Sequence, residues 1–284
     1  MILVLVLLLF TALTAFVFNA EVSTAGAEVS TSKVVEKEKA FLLLRSAMPL
    51  VEKLLDNYTN GGYVSLSDPW ARPMSVNTPL GEVEVRVVDL DRFLNLNSVD
   101  KRGVKETFEN LLGELEIDDE LLERLLQWEG KKPYGGWGEY PPPGKGLASK
   151  YELLLIWNNT GDLYGKRVGG EELPGLLQLT TVHSGGRVNV NTAPVWILKA
   201  LPGIDDATVE EIVELRRERV IKNLQQLLGV GSIDMNTLYR WSDVLTTQSR
   251  YFLVKMHLKG RATSTLLWFI YDIKTKTVVE QGVE

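Results

Sequence analysis

Residues able to do acid–base or phosphate chemistry are few in this sequence, and their spacing argues against most of that chemistry. His183 stands in Thr181-Val182-His183-Ser184-Gly185-Gly186. A Ser/His/Asp triad needs an exposed nucleophile and a carboxylate that orients the imidazole. Nothing around Ser184 supplies that context, so His183 reads as a loop or strand-edge residue. His257 alternates with Phe252, Val254, Met256 and Leu258 and falls on the solvent face of a strand. The stretch Gly138-Glu139-Tyr140-Pro141-Pro142-Pro143-Gly144-Lys145-Gly146 has a faint likeness to a phosphate loop. It has five residues before Gly-Lys where that motif has four, and Gly146 where a hydroxyl should hold magnesium. Its three prolines also remove amide donors, so residues 131–145 read as an exposed loop. Asp118-Asp119-Glu120 lacks the glycine and distal glutamate of a calcium loop. It is more simply a helix start, with Asp118 or Asp119 as N-cap.

One block is richer. Arg187-Val188-Asn189-Val190-Asn191-Thr192-Ala193-Pro194 leads into an apolar run that ends at Leu201-Pro202-Gly203-Ile204. Thr192 is suited to cap a first helix and Pro194 to its first turn. Asp206 is suited to cap a second helix, with Val209, Ile212 and Val213 on one face. The pattern is that of a helix–hairpin–helix. DNA-binding versions hold a phosphate on hairpin amides and the positive end of the second helix. Asp205 and Asp206 follow Ile204 here, and two carboxylates at that place repel phosphate.

Composition sets the outer limits. The 284 residues carry 31 basic and 37 acidic side chains, a formal charge of −6, which disfavours sequence-independent binding to nucleic acid. The absence of cysteine excludes disulfides, thiolate metal sites and a cysteine nucleophile. Two histidines exclude a three-histidine metal centre. The length allows one large domain or two small ones with an adequate core.

Met1 to Phe18 is uncharged and almost wholly apolar, and the first cation is Lys33. As a helix of about 1.5 Å per residue it would span most of a bilayer's hydrocarbon. It lacks the basic n-region of a cleaved secretory signal, so a retained anchor is the reading. From Lys33 to Asp56, Phe41, Leu44, Met48, Val51 and Leu55 recur at helical spacing, and Asn60-Gly61-Gly62 ends the run. A strictly alternating strand follows over Gly81–Val87, then helical text over Val104–Gln127, short helices over Tyr151–Trp157 and Leu173–Leu179, and a hairpin from Phe252 to Tyr271 turning at Lys259-Gly260-Arg261. The expected fold class is therefore α+β: a long N-terminal helix on a small antiparallel sheet, with helices inserted.

The chain resembles the minor pseudopilin K subunit of bacterial type II secretion systems over nearly its whole length. The resemblance rests on the apolar N-terminus and on Asp89-Leu90-Asp91-Arg92-Phe93-Leu94-Asn95-Leu96-Asn97, which carries the family's Arg-Phe-Asn-Leu-Asn run with one extra residue, Leu94. It rests also on the Val188-to-Gly203 block and on Ser249-Arg250-Tyr251-Phe252-Leu253-Val254. It implies a pilin-like fold divided as residues 1–19 in the membrane, 20–98 as helix and first strands, 99–187 and 188–240 as a two-part helical insertion, and 241–284 as closing strands. The second part is the helix–hairpin–helix-like (SAM-like) unit. It implies a single-pass inner-membrane protein with its bulk in the periplasm. It implies minor pseudopilins I and J as partners and, through them, the major pseudopilin, with no enzymatic activity and no nucleic acid. Members can bind calcium near a Trp-x-Asp-x-Asp in the insertion. Trp128-Glu129-Gly130-Lys131-Lys132 stands there without the aspartates, so no calcium ligand is carried over and no cofactor is expected.

The family also carries a short basic leader, absent before this apolar run; the expectation is a true start upstream, the alternative being Met1 at the mature first position. In the second case Leu5 replaces the glutamate by which filament-forming pilins pair with a neighbour's amine, which would make this subunit a cap rather than a repeat. Two other functions compete. A membrane-anchored periplasmic helix–hairpin–helix DNA receptor needs cations near 203–208, where Asp205 and Asp206 stand. A tethered hydrolase needs a nucleophile–base pair, and the sequence offers none.

Overall fold

A single helix, α1 (Val29–Thr59), opens the described part of the chain. The computed structural model describes residues 29–59, 61–138, 141–260 and 264–284; Met1, Leu5 and the whole of 1–19 lie outside them. Ala40, Leu43, Leu44, Met48, Val51 and Leu55 are all buried at three- and four-residue spacing, while Lys37, Glu38, Arg45 and Lys53 face water. Pro49 is tolerated inside the helix on its exposed side. Among the described residues no helix is long and apolar enough to cross a membrane.

Five strands form one sheet in chain order: β1 (Met74–Thr78), β2 (Gly81–Asp89), β3 (Tyr251–Lys259), β4 (Ser264–Asp272) and β5 (Thr277–Val283). Strands β1 and β2 pair antiparallel, as do β4 and β5, with a bulge at Ile270/Tyr271. Val83, Val85 and Val87 of β2 and Phe252, Val254, Met256 and Leu258 of β3 point into the core, the period-two pattern of a half-buried sheet. Trp70 packs edge-on against Phe252 with ring centroids 5.2 Å apart. The Tyr271 hydroxyl donates to Asp56 of α1 at 3.1 Å, and Lys276 pairs with the same carboxylate. Burial and that carboxylate hold the Tyr271 phenol well above its usual range. Strands β1 and β5 carry weak alternation and were not legible in the sequence.

The contacts divide the chain into two units. One comprises the described part of Met1–Asn60 with Asp68–Val88 and Phe252–Glu284; the other comprises Gly61–Ser67 and Asp89–Tyr251. The longer segment of the second unit, Asp89–Tyr251, begins ten residues before the expected insertion boundary at 99 and ends eleven after 240. Its core is built by α2 (Arg102–Glu114), α3 (Glu120–Trp128), α4 (Val195–Lys199), α5 (Asp206–Glu218) and α6 (Met235–Trp241). Phe108, Leu111, Leu121, Leu125, Ile197, Ile212 and Trp241 meet in one apolar cluster. Two short parallel pairs, Leu94–Asn95 with Thr180–Thr181 and Val188–Asn189 with Leu245–Thr246, tie distant segments of this unit together.

Three local readings are corrected. Leu173 lies in a strand, Glu171–Pro174, and the helix begins only at Leu176, because Pro174 and Gly175 break the helical pattern. Thr192 does not cap α4; its hydroxyl is buried and donates to Asp89. Asp205, not Asp206, caps α5 by accepting from the Thr208 amide at 2.7 Å. Asp118 accepts from the Glu120 amide at 2.8 Å, as a residue starting α3 should.

Replacing Phe252, fully buried at the centre of the sheet, with alanine removes a large apolar side chain from a site with no room to collapse. The expected cost is about 3–5 kcal/mol of unfolding free energy, read by urea denaturation of the detergent-solubilised chain. A loss under about 1 kcal/mol would show that this sheet core does not hold the unit together.

Candidate functional site

The two sequence motifs that stand out, Asp89–Asn97 and Val188–Thr192, converge in the second unit on one buried polar node. Val188 and Val190 turn into the apolar cluster, which forces the alternate side chains, Asn189 and Asn191, to find polar partners while buried. Asp89, 1% exposed, receives four donors: the Asp91 amide at 2.9 Å, the Thr192 hydroxyl at 2.6 Å, the Ser249 hydroxyl at 2.7 Å and the Asn189 amide at 3.4 Å. Asn189 also donates to Ser249 at 2.8 Å and to the Val64 carbonyl at 3.0 Å. Asn191 bonds Ile221 in both directions, its amide to the carbonyl and its oxygen to the N–H.

Asp91 accepts from the backbone amides of Gly185, Arg250 and Tyr251. Arg216 donates to the carbonyls of Val190 and Ala193, and burial, with Arg92 nearby, depresses its guanidinium to about 10. Asn97 closes both ways on Leu147, at 2.7 and 2.9 Å.

Burial raises the Asp89 carboxyl, Asp91 adds to the rise, and the hydroxyl donors pull it back; burial wins, pushing it up to about 7. Asp91 is raised for the same first reason and restrained by its backbone donors. A perturbed buried acid often marks a catalytic centre. Here the hydroxyls that face the Asp89 carboxylate, Thr192 and Ser249, are themselves buried and donate to it. The arrangement fixes loop geometry.

The helix–hairpin–helix is formed by α4, a turn at Ala200–Ile204 and α5. Gly203 adopts φ +74°, the left-handed conformation the turn needs. The positive end of α5 is already neutralised from within. Asp205 accepts from the Thr208 amide and the Ser232 hydroxyl, which hold its carboxyl below the usual range, and Asp206 pairs with Lys199 at 2.8 Å. Glu210, Glu211, Glu214 and Glu218 line a groove along the same helix with Leu215 and Val230. This surface repels phosphate.

At the foot of α3, Glu129 is buried, its carboxylate 1% exposed. Its ion partner is the Lys131 ammonium at 3.0 Å, which also holds Asp100 at 2.8 Å. Calcium takes six to eight oxygens. Two carboxylates already bridged by an ammonium do not fit that requirement.

The remaining candidates do not assemble. The His183 amide donates to the Thr181 hydroxyl in a loop. His257, half-buried, lies 2.6 Å from the Ser264 hydroxyl on the sheet. The described residues of 131–145 are mostly exposed, with Trp137 folded back beside Trp128. The Arg216 contribution was not legible, since in Arg216-Arg217-Glu218-Arg219 nothing distinguishes the arginine that turns inward.

Comparison with known proteins agrees with this geometry. A helix–hairpin–helix motif family matches residues 183–246. Type II secretion system protein K of Pseudomonas aeruginosa is 29% identical over 223 residues, which cover 66% of this chain; the chain spans 61% of that relative's length. The fold matches a chain in the crystal structure of the GspK-GspI-GspJ complex from the enterotoxigenic Escherichia coli type 2 secretion system, with a TM-score of 0.68 and 16% identity. The match covers 90% of this chain and 99% of that one. The resemblance to protein K and the α+β class read from the sequence both hold.

Two outcomes follow from the site. Burial and the neighbouring Asp91 push the folded Asp89 carboxyl up to about 7, above the unfolded value of about 3.9, so the folded state holds the proton more tightly. This group's contribution to stability therefore falls as pH rises from about 4 to about 7 and is flat above. Denaturant midpoints of the parent and of Asp89→Asn, compared at about pH 5 and about pH 7.5, should show a steeper decline in the parent; equal slopes would sink the assignment. For the hairpin, residues 25–284 should bind no duplex DNA at physiological salt. Anisotropy giving about micromolar or tighter affinity with a steep salt slope would contradict it.

Proposed function

We propose that this chain is a non-enzymatic minor pseudopilin of a type II protein secretion system, held in the inner membrane by residues 1–19 with its bulk in the periplasm. It joins minor pseudopilins I and J, and through them the major pseudopilin, at the pseudopilus tip, where it primes assembly for export of folded proteins. The observation that carries this reading is the fold shared with a chain of the GspK-GspI-GspJ complex over 90% of this chain, with the motifs of the resemblance gathered into one node.

A capping place suits the large unit inserted between β2 and β3, a block that repeating subunits of a thin filament would have to accommodate at every step. The polar groups of the node are all engaged in holding loops, which suits a structural part better than an enzyme. The acidic hairpin weighs against the DNA-receptor reading.

Residues 25–284 should run alone as a monomer in size-exclusion chromatography. Co-expressed with the soluble parts of cognate pseudopilins I and J, they should elute as a complex with one copy of each. Failure to form any complex, or crosslinking that finds this subunit repeated along the shaft, would overturn the proposal.

A further inference from the structure

Glu129 is placed where a carboxylate is least welcome. It is the C-cap of α3, where the helix dipole is negative, and it is buried. The Lys131 ammonium lies 3.0 Å from one of its oxygens, and among the described residues no hydroxyl or amide donates to either. Burial raises its carboxyl above the usual range, and Lys131 opposes that rise. A buried carboxylate at a helix C-terminus with no neutral donor requires a cation.

The chain supplies one by local geometry. Gly130 takes φ +74°, its amide donates to the Gln127 carbonyl at 3.0 Å, and the Lys131 amide donates to the Leu126 carbonyl at 2.8 Å. This is the glycine-ended helix stop that satisfies the last carbonyls. It also turns Lys131 back beside the helix end, so that its ammonium lies 3.0 Å from Glu129 and 2.8 Å from Asp100. Burial alone would lower the lysine's pKa; the two carboxylates outweigh it and hold the ammonium above its usual range. Asp100 is correspondingly held low by Lys131.

We propose that Lys131 is the resident cation of the second unit: its ammonium joins Asp100 to the end of α3 as a bound divalent ion would, and the unit folds without calcium. The ammonium reaches both carboxylates and cancels one of their two charges, leaving the other on the more exposed Asp100. A calcium ion would have to expel an ammonium fixed by a helix stop and would find two carboxylates where it needs six or more oxygens. The inference stands apart from the secretion reading, because it concerns folding of the unit whatever its partners.

The test is thermal unfolding of the full chain in detergent, followed by tryptophan fluorescence, which Trp128 and Trp137 report from beside the site. The parent should melt at the same temperature in about 1 mM calcium chloride and in EDTA. Lys131→Ala should melt several degrees lower in EDTA, and Glu129→Gln/Lys131→Met, which removes both charges, should recover most of that loss. Should Lys131→Ala not fold at all, the double variant decides: a folded double variant supports the proposal, and an unfolded one overturns it. Calcium raising the parent's melting temperature by several degrees, or Lys131→Ala as stable as the parent, would also overturn it.

Discussion

The second unit depends on a carboxylate buried without a cation in contact. Asp89 follows directly on the half-buried run of β2, and its charge is met by neutral donors from the segments around 91, 189, 192 and 249. Three of the four donors converge on Oδ2, and the Asp91 amide takes Oδ1. Each donor belongs to a stretch whose other residues are committed elsewhere: Val188 and Val190 to the apolar cluster, Tyr251 to the start of β3. No one contact is strong, but removing the acceptor would leave several buried hydroxyls and amides without partners at once. That is the situation in which a polar network specifies one arrangement of loops.

The same economy explains why the helix–hairpin–helix here is structural. A helix N-terminus is an anion site only while its amides are free. In α5 the first carboxylate belongs to the helix itself, the second is paired with Lys199, and four glutamates follow on one side. The inner face, with Val209 and Ile212, is buried in the apolar cluster. The hairpin has kept its packing role, and its electrostatics are those of a surface turned away from nucleic acid.

Elements with strong periodicity were legible in the sequence: α1 from its buried stripe, β2 and β3 from strict alternation, and α2 and α3 from leucines either side of Asp118. The polar node was only half legible. Its residues stood out as a family pattern, but sequence spacing gives no reason for Asp89 to meet Thr192, which lies 103 residues away. The capping readings failed for a related reason. Thr192 and Asp206 have the right chemistry for N-caps, and tertiary partners, Asp89 and Lys199, claimed them. For Thr192 a buried acceptor offers the better bond; Asp206 stays largely exposed, and Asp205, one residue earlier, takes the cap.

The two buried carboxylates show two solutions with different consequences. Asp89 is held by dipoles, which favour the anion without cancelling its charge, so burial, with Asp91 nearby, still lifts its pKa. Glu129 is held by an ammonium, which moves with the chain and does not titrate in the physiological range. The first arrangement ties loop geometry to proton concentration. The second ties a helix end to one lysine, which opposes the rise that burial gives the Glu129 carboxyl and, as proposed, stands in place of a divalent ion. Both lie in the unit that the α+β framework carries between β2 and β3, so the sensitivity of that unit to its surroundings is decided by which partner each carboxylate received.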